Sequence, residues 1–183
     1  MRFAYADPPY PGKAGYYDER REVDHASLVD RLATYPDGWA LSTSSEALRD
    51  VLSLCPPEVR VCIWVKARRV VRSRWVASAF EPLLICRGRR RCSSASLPAV
   101  SDVLTYRGRY RAFPGAMIGM KPPQFSVWMF ELLGAAPGDV LADLYPGSGA
   151  VSLAWNRYTS LGSTRRLTSR QPAASLQDLA APP

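Results

Sequence analysis

The chain has 183 residues, 47% of them apolar, enough to bury a core, and reads as one globular domain. Its apolar stretches fall far short of the roughly 20 residues of a membrane span. The opening Met1-Arg2-Phe3-Ala4-Tyr5-Ala6-Asp7 lacks the layout of a signal peptide, which predicts a cytoplasmic protein without a membrane partner. The net charge of +8 is uneven: residues 1–59 carry 6 basic and 10 acidic side chains, residues 60–121 carry 14 and 2, and residues 122–183 carry 4 and 4. A middle third this basic points to a polyanion, with nucleic acid the favoured partner. The four cysteines, Cys55, Cys62, Cys86 and Cys92, form no C-x-x-C pair, and His25 is the only histidine, so no metal site is expected. Cys55 and Cys62 lie among apolar residues and read as core.

In chain order, Arg2 to Ala6 reads as a strand that stops at Asp7-Pro8-Pro9-Tyr10, because proline cannot extend a ladder. A helix is predicted over Asp24 to Tyr35, with Asp24 as its cap and Leu28, Val29 and Leu32 on one face. His25, near its start, reads as a capping or surface residue. Gly38 to Ser42 is a second strand. Thr43 and Glu46 have capping-box spacing before a helix reaching about Leu54. Strands follow at Val59 to Val65 and, more weakly, Pro82 to Cys86. Arg87 to Met120 shows no clear period and reads as loop and short strands. Phe125 to Leu133 is an amphipathic helix ended by Gly134, Val140 to Tyr145 a strand, and Gly149 to Tyr158 the start of another helix. Strands alternating with helices predict an α/β fold, a mostly parallel sheet covered on both faces. Ligands in such sheets sit at the carboxyl ends of strands.

Two loops leave strand ends with unusual chemistry. The exocyclic amine of a base is a poor nucleophile, since its lone pair is delocalised into the ring. A site that alkylates it must accept hydrogen bonds from its hydrogens and aim the nitrogen. Asp7 can accept one, and a carbonyl of the stiff Pro8-Pro9 pair the other. Tyr10 offers a face for a flipped base. A proline turn with an ordinary turn aspartate explains the same four residues structurally. The second loop, Asp143-Leu144-Tyr145-Pro146-Gly147-Ser148-Gly149, opens a helix whose free N–H groups suit an electronegative group. It has neither the third glycine of a dinucleotide fingerprint nor the lysine of a P-loop. A tight strand-to-helix turn would also account for it.

Together the loops resemble the amino-methyltransferases that act on adenine-N6 or cytosine-N4. Asp7-Pro8-Pro9-Tyr10 matches their [DNS]-P-P-[YFW] motif. Asp143, Gly147, Ser148 and Gly149 match their D-x-F-x-G-S-G loop, with Tyr145 in place of Phe. Lys121-Pro122 looks like the Lys-Pro before that loop, and Phe80-Glu81-Pro82-Leu83-Leu84-Ile85-Cys86 like the family's W-E-P strand. The resemblance covers roughly residues 1–158, and is closest to compact actinobacterial and phage members of the group. It implies a Rossmann-like methyltransferase fold, circularly permuted so that the catalytic motif comes first. It also implies S-adenosylmethionine as cofactor and direct transfer to a flipped base. Asp7, Pro8, Pro9 and Tyr10 would hold the amine. Lys121, Pro122, Asp143, Tyr145, Pro146, Gly147, Ser148 and Gly149 would hold the donor. Aspartate at position 7 leans toward adenine in DNA, with cytosine, RNA and a non-catalytic nucleic-acid binder as alternatives. The chain departs from the family after Trp155, where the only acid is Asp178. The donor ribose must then be held elsewhere, or donor affinity is low.

One methyltransferase domain is expected over residues 1–160, with a short basic recognition insert at about 66–116 and a flexible tail over 161–183. Arg68, Arg69, Arg72, Arg74, Arg89, Arg90, Arg107, Arg109 and Arg111 are the candidate DNA contacts, interleaved with Trp75, Tyr106 and Tyr110. The assembly expected is a monomer or a homodimer.

Overall fold

The computed structural model describes residues 1–16, 21–66, 78–90, 99–106 and 120–165. In chain order these form β1 (Arg2–Ala6), α1 (His25–Ala33), β2 (Gly38–Ser42), α2 (Leu48–Ser53), β3 (Arg60–Lys66), β4 (Phe80–Arg87), β5 (Val103–Tyr106), α3 (Pro123–Leu132), β6 (Val140–Asp143) and α4 (Ala150–Arg165). The strands make one sheet in the order β5-β3-β4-β2-β1-β6. β1 is parallel to β2 and β6, and β3 to β5, while β4 runs against both its neighbours, β2 and β3. The expected mixed α/β architecture with a mostly parallel sheet is therefore present.

Period-two alternation divides the core between the two faces. Ala4, Ala6, Trp39, Leu41, Leu84 and Cys86 meet Leu28, Val29 and Leu32 of α1 and Val51 of α2. Phe3, Tyr5, Trp64, Leu83 and Ile85 meet Phe125, Trp128, Met129 and Phe130 of α3 and Val151 and Trp155 of α4. Phe130 packs edge-on to Trp155 with ring centroids 5.0 Å apart, which fixes α3 against α4.

Three local expectations change. The Asp24 carboxylate caps α1 through the Ala26 and Ser27 amides, as its position suggests, but the helix ends at Ala33. The capping box does not form: α2 starts only at Leu48, Ser44 Oγ accepts from the Ala47 amide, and Glu46 pairs instead with Lys13 at 3.2 Å. The third change is in α3, which is not amphipathic, since Phe125 through Phe130 are buried consecutively, Ser126 included. A helix wedged among the sheet, the segment before β5 and α4 has no face left for water. Among the described residues no helix is long and apolar enough to cross a membrane. α4 runs past Leu161 to Arg165, and residues 166–183 of the expected tail lie outside the described residues.

Candidate active site at the carboxyl ends of β1 and β6

β1 and β6 are neighbours in parallel register, with Tyr5 opposite Asp143, and the Leu144 amide donates to the Tyr5 carbonyl at 2.9 Å. The two loops singled out in the sequence thus leave the sheet side by side. Alternation also directs what lies beneath them. Tyr5 and Asp7 continue the face of Phe3, Ser42 that of Ala40, Lys66 that of Trp64, and Glu81 precedes Leu83 by two residues. Because β4 is reversed, its first residues arrive at the end where the parallel strands finish. Five polar side chains from four strands therefore gather under the start of α3.

Lys121 closes this cluster from above and is 5% exposed. Its ammonium reaches Asp7 Oδ1 at 3.0 Å, the Tyr10 hydroxyl at 3.1 Å and Glu81 Oε1. Glu81 Oε2 pairs with Lys66, whose side chain is half-exposed. The Tyr10 hydroxyl donates to Asp7 Oδ1 at 3.3 Å, and the Tyr5 hydroxyl lies 3.0 Å from Ser42 Oγ. Among the described residues Asp7 Oδ2 receives no hydrogen bond, nor do the carbonyls of Pro8 and Pro9, and the Asp7 side chain is 19% exposed. One carboxylate oxygen is thus fixed while the other remains able to accept.

The charges respond to this packing. Burial, reinforced by the Glu81 carboxylate, holds the Asp7 carboxyl above its ordinary range despite Lys121. Glu81 is as deeply buried, but two ammonium groups more than offset that and hold it below its ordinary value. Burial works against the charge of Lys121, and Asp7 and Glu81 outweigh it, so the ammonium persists well above the usual lysine value.

In the second loop Gly149 donates to the Pro146 carbonyl at 2.7 Å, and Gly147 and Gly149 have φ of 47° and 73°, in the left-handed region that side chains avoid. Pro146, Gly147 and Ser148 are exposed. Asp143 Oδ2 accepts from Ser152 Oγ at 3.0 Å, and burial raises the carboxyl against the hydrogen bonds from Ser152 and the Tyr145 amide. Tyr145 packs toward the α1 face of the core, beside Leu144. Between the starts of α3 and α4 lies a cavity of about 150 Å³, lined by Lys121, Pro122, Val127, Ala150, Ala154 and Tyr158 among others. Pro122 and Lys121 thus line this cavity, the residues of the Asp143–Gly149 loop do not, and the Lys121 ammonium contacts Asp7.

The predicted arginines do not gather here. Arg89 lies at the other end of the sheet, its guanidinium on both oxygens of Asp139 at 2.7 Å and on the Gly134 carbonyl at 3.0 Å. Arg90 follows it there. Reversed β4 ends where the parallel strands begin, which places Arg89 at that end of the sheet. Arg68, Arg69, Arg72, Arg74, Arg107, Arg109 and Arg111 lie outside the described residues. Four members of the cluster, Tyr5, Ser42, Lys66 and Glu81, were not singled out as site residues from sequence. The available signal for Glu81 was an acid near the start of an otherwise apolar strand, since a buried carboxylate needs a cation.

No protein-family model and no curated relative matches this sequence. Solved structures do match. M1.HpyAVI, in its SAM complex, superposes with a TM-score of 0.55 at 16% identity, over 86% of this chain and 78% of that one. TTHA0409 of Thermus thermophilus, assigned as a DNA modification methylase, gives 0.56 at 14% identity, over 87% and 77%. M1.HpyAVI in a second crystal structure gives 0.51 at 13% identity, over 86% and 76%. At such identities what is shared is the fold.

Proposed function

We propose that this protein transfers a methyl group from S-adenosylmethionine to the exocyclic amine of a DNA base, with adenine N6 the preferred target. The observation that carries the reading is the juxtaposition at neighbouring strand ends. An aspartate with one oxygen pinned by Lys121 and Tyr10 and the other open stands beside a glycine-bearing loop that starts a helix. The fold likeness to a DNA modification methylase and to M1.HpyAVI in its SAM complex, with the basic middle third, supports the same reading. The permuted order, catalytic loop first and donor loop last, is part of the proposal.

The residues present fit the donor. The glycine-bearing loop leaves Pro146, Gly147 and Ser148 exposed ahead of α4, and Ala150 at the start of that helix lines a mostly apolar cavity. Asp143, Tyr145, Pro146, Gly147, Ser148, Gly149 and Pro122 would hold it, with Lys121 contributing through its main chain. When bound, it supplies an electrophilic methyl on a sulfonium. Asp7 Oδ2 and the Pro8 or Pro9 carbonyl accept the two amine hydrogens, which turns the nitrogen lone pair out of conjugation. The Tyr10 ring, steadied by its hydroxyl on Asp7, supports the base. Asp7, with its raised carboxyl, then takes the proton the alkylated amine must lose. The arginines of segments 67–77 and 107–111 supply phosphate contacts; Arg89 is set aside because it is already paired.

The test is transfer of labelled methyl from S-adenosylmethionine to unmethylated DNA by the wild type and Asp7→Ala, with the product digested to nucleosides. Label in N6-methyladenine with the wild type alone is expected. Label in cytosine would change the base, and undiminished transfer by Asp7→Ala would remove Asp7 from the chemistry. No transfer by folded protein, with DNA retained at low salt, would overturn the enzyme reading in favour of a non-catalytic binder.

A further inference from the structure

The buried charges around Asp7 form a ladder of alternating sign that crosses four segments of the chain. Lys66 ends β3, Glu81 is the second residue of β4, Lys121 precedes α3, and Asp7 follows β1. Glu81 Oε2 meets Lys66, Glu81 Oε1 meets Lys121, and Lys121 meets Asp7 Oδ1 at 3.0 Å. An ammonium has three N–H donors and no acceptor. The three oxygens around Lys121, on Asp7, Glu81 and Tyr10, match that number. Its orientation therefore depends on all three, and Glu81 is the one that never approaches solvent, at 4% exposure. As a strut between strands the ladder is inefficient, because apolar residues of similar volume would join β3 to β4 at least as well.

We propose that Glu81 is a positioning residue: bridging Lys66 and Lys121, it aims the Lys121 ammonium at one oxygen of Asp7 and shares its charge, leaving the second oxygen a working acceptor. Without Glu81, the whole cation would fall to Asp7, which would become a tight ion pair and a poorer base. Without Lys66, Glu81 would draw Lys121 toward itself, and Asp7 would hold its proton more strongly. The groups facing Asp7 are Lys121 from above, Glu81 from β4, Tyr5 from β1 and Tyr10 from its own loop, with Lys66 behind Glu81. The proposal rests on the methyl-transfer reading for its catalytic meaning, but the effect on Asp7 is measurable without turnover.

Full-length protein carrying aspartate labelled with carbon-13 at the carboxyl is titrated by NMR, with Asp7→Asn assigning the Asp7 signal. Glu81→Gln is expected to move the Asp7 titration to lower pH, and Lys66→Met to higher pH. With S-adenosylmethionine and DNA, the acid limb of kcat should shift in the same two directions. A merely structural role would lower yield or Tm in both variants and leave the titration where it was. An unmoved Asp7 signal, or shifts of the same sign in both variants, overturns the proposal. If Glu81→Gln does not fold, Lys66→Met, at the half-exposed end, decides alone. Absence of methyl transfer by the wild type would count against the activity and leave the titration as the test of the ladder.

Discussion

At the amino end of β1, Asp139 is met by the Met1 ammonium at 2.6 Å, the Arg89 guanidinium at 2.7 Å and the Ala136 amide at 2.8 Å. At the carboxyl end, Asp7 is met by Lys121 at 3.0 Å and the Tyr10 hydroxyl at 3.3 Å, both on one oxygen. Both acids lie on the same sheet and both have a cation, yet they titrate in opposite directions. Burial of Asp139 is outweighed by the N-terminal ammonium and Arg89, and its carboxyl is held low. Asp7 shares its cation with Glu81, and burial prevails. An acid with every lone pair engaged closes a structure. An acid left with a spare acceptor and half a counter-ion is costly as architecture, and such costs concentrate at functional sites.

The contrast can be broken most severely at Lys121. Lys121→Met would leave Asp7 and Glu81 facing each other without their common cation. Removing one partner of a buried pair costs about 3–5 kcal/mol, read as a fall in the urea midpoint at constant slope. The deficit should shrink as the pH is lowered and the carboxylates protonate. A loss no larger than that of a surface lysine would mean the cluster is solvated. The next effect belongs to the other pole. Asp139→Asn removes charge-assisted hydrogen bonds, two of them from an arginine that is 41% exposed, so a loss of about 1–3 kcal/mol is expected with methyl transfer unaffected. Since folding lowers the Asp139 carboxyl, its contribution is complete above the unfolded value of about 3.9 and is lost as pH falls through the lower folded value. Wild type and Asp139→Asn should therefore differ in Tm at neutral pH and converge in acid.

Much of this contrast was legible in the sequence at the carboxyl end and little of it at the amino end. Asp7-Pro8-Pro9-Tyr10 and the Asp143 loop announce themselves because proline and glycine restrict the backbone locally. The strands leading to them were readable because apolar alternation is local too. Pairings set by topology were not readable. Glu81 reaches Lys121 because β4 runs backwards, and Arg89 meets Asp139 at the opposite end of the sheet by the same reversal. α3 was read as amphipathic because its one-dimensional pattern carries no sign of α4 packing on its outer side. The capping box failed for a related reason, since Glu46 found a partner, Lys13, 33 positions earlier in the chain.

The smallest stability effect is the one that separates the two acids most cleanly. Folding raises the Asp7 carboxyl, so its contribution to stability is complete below the unfolded value of about 3.9 and is lost as pH rises through the higher folded value. At neutral pH the ionised group is a burden on the native state. Asp7→Asn removes that burden while keeping an oxygen for the Tyr10 hydroxyl, and Lys121 keeps Glu81 as its counter-ion. Its Tm at pH 7 should equal or exceed that of the wild type. Methyl transfer should fall by about 100-fold or more, the scale of a lost general base. The same Asp-to-Asn change thus has opposite signs at the two ends of β1, lowering Tm at Asp139 and sparing it at Asp7. A loss of Tm in Asp7→Asn as large as in Asp139→Asn would make Asp7 a second structural ion pair, and the reading of this end of the sheet as the reactive one would fall with it.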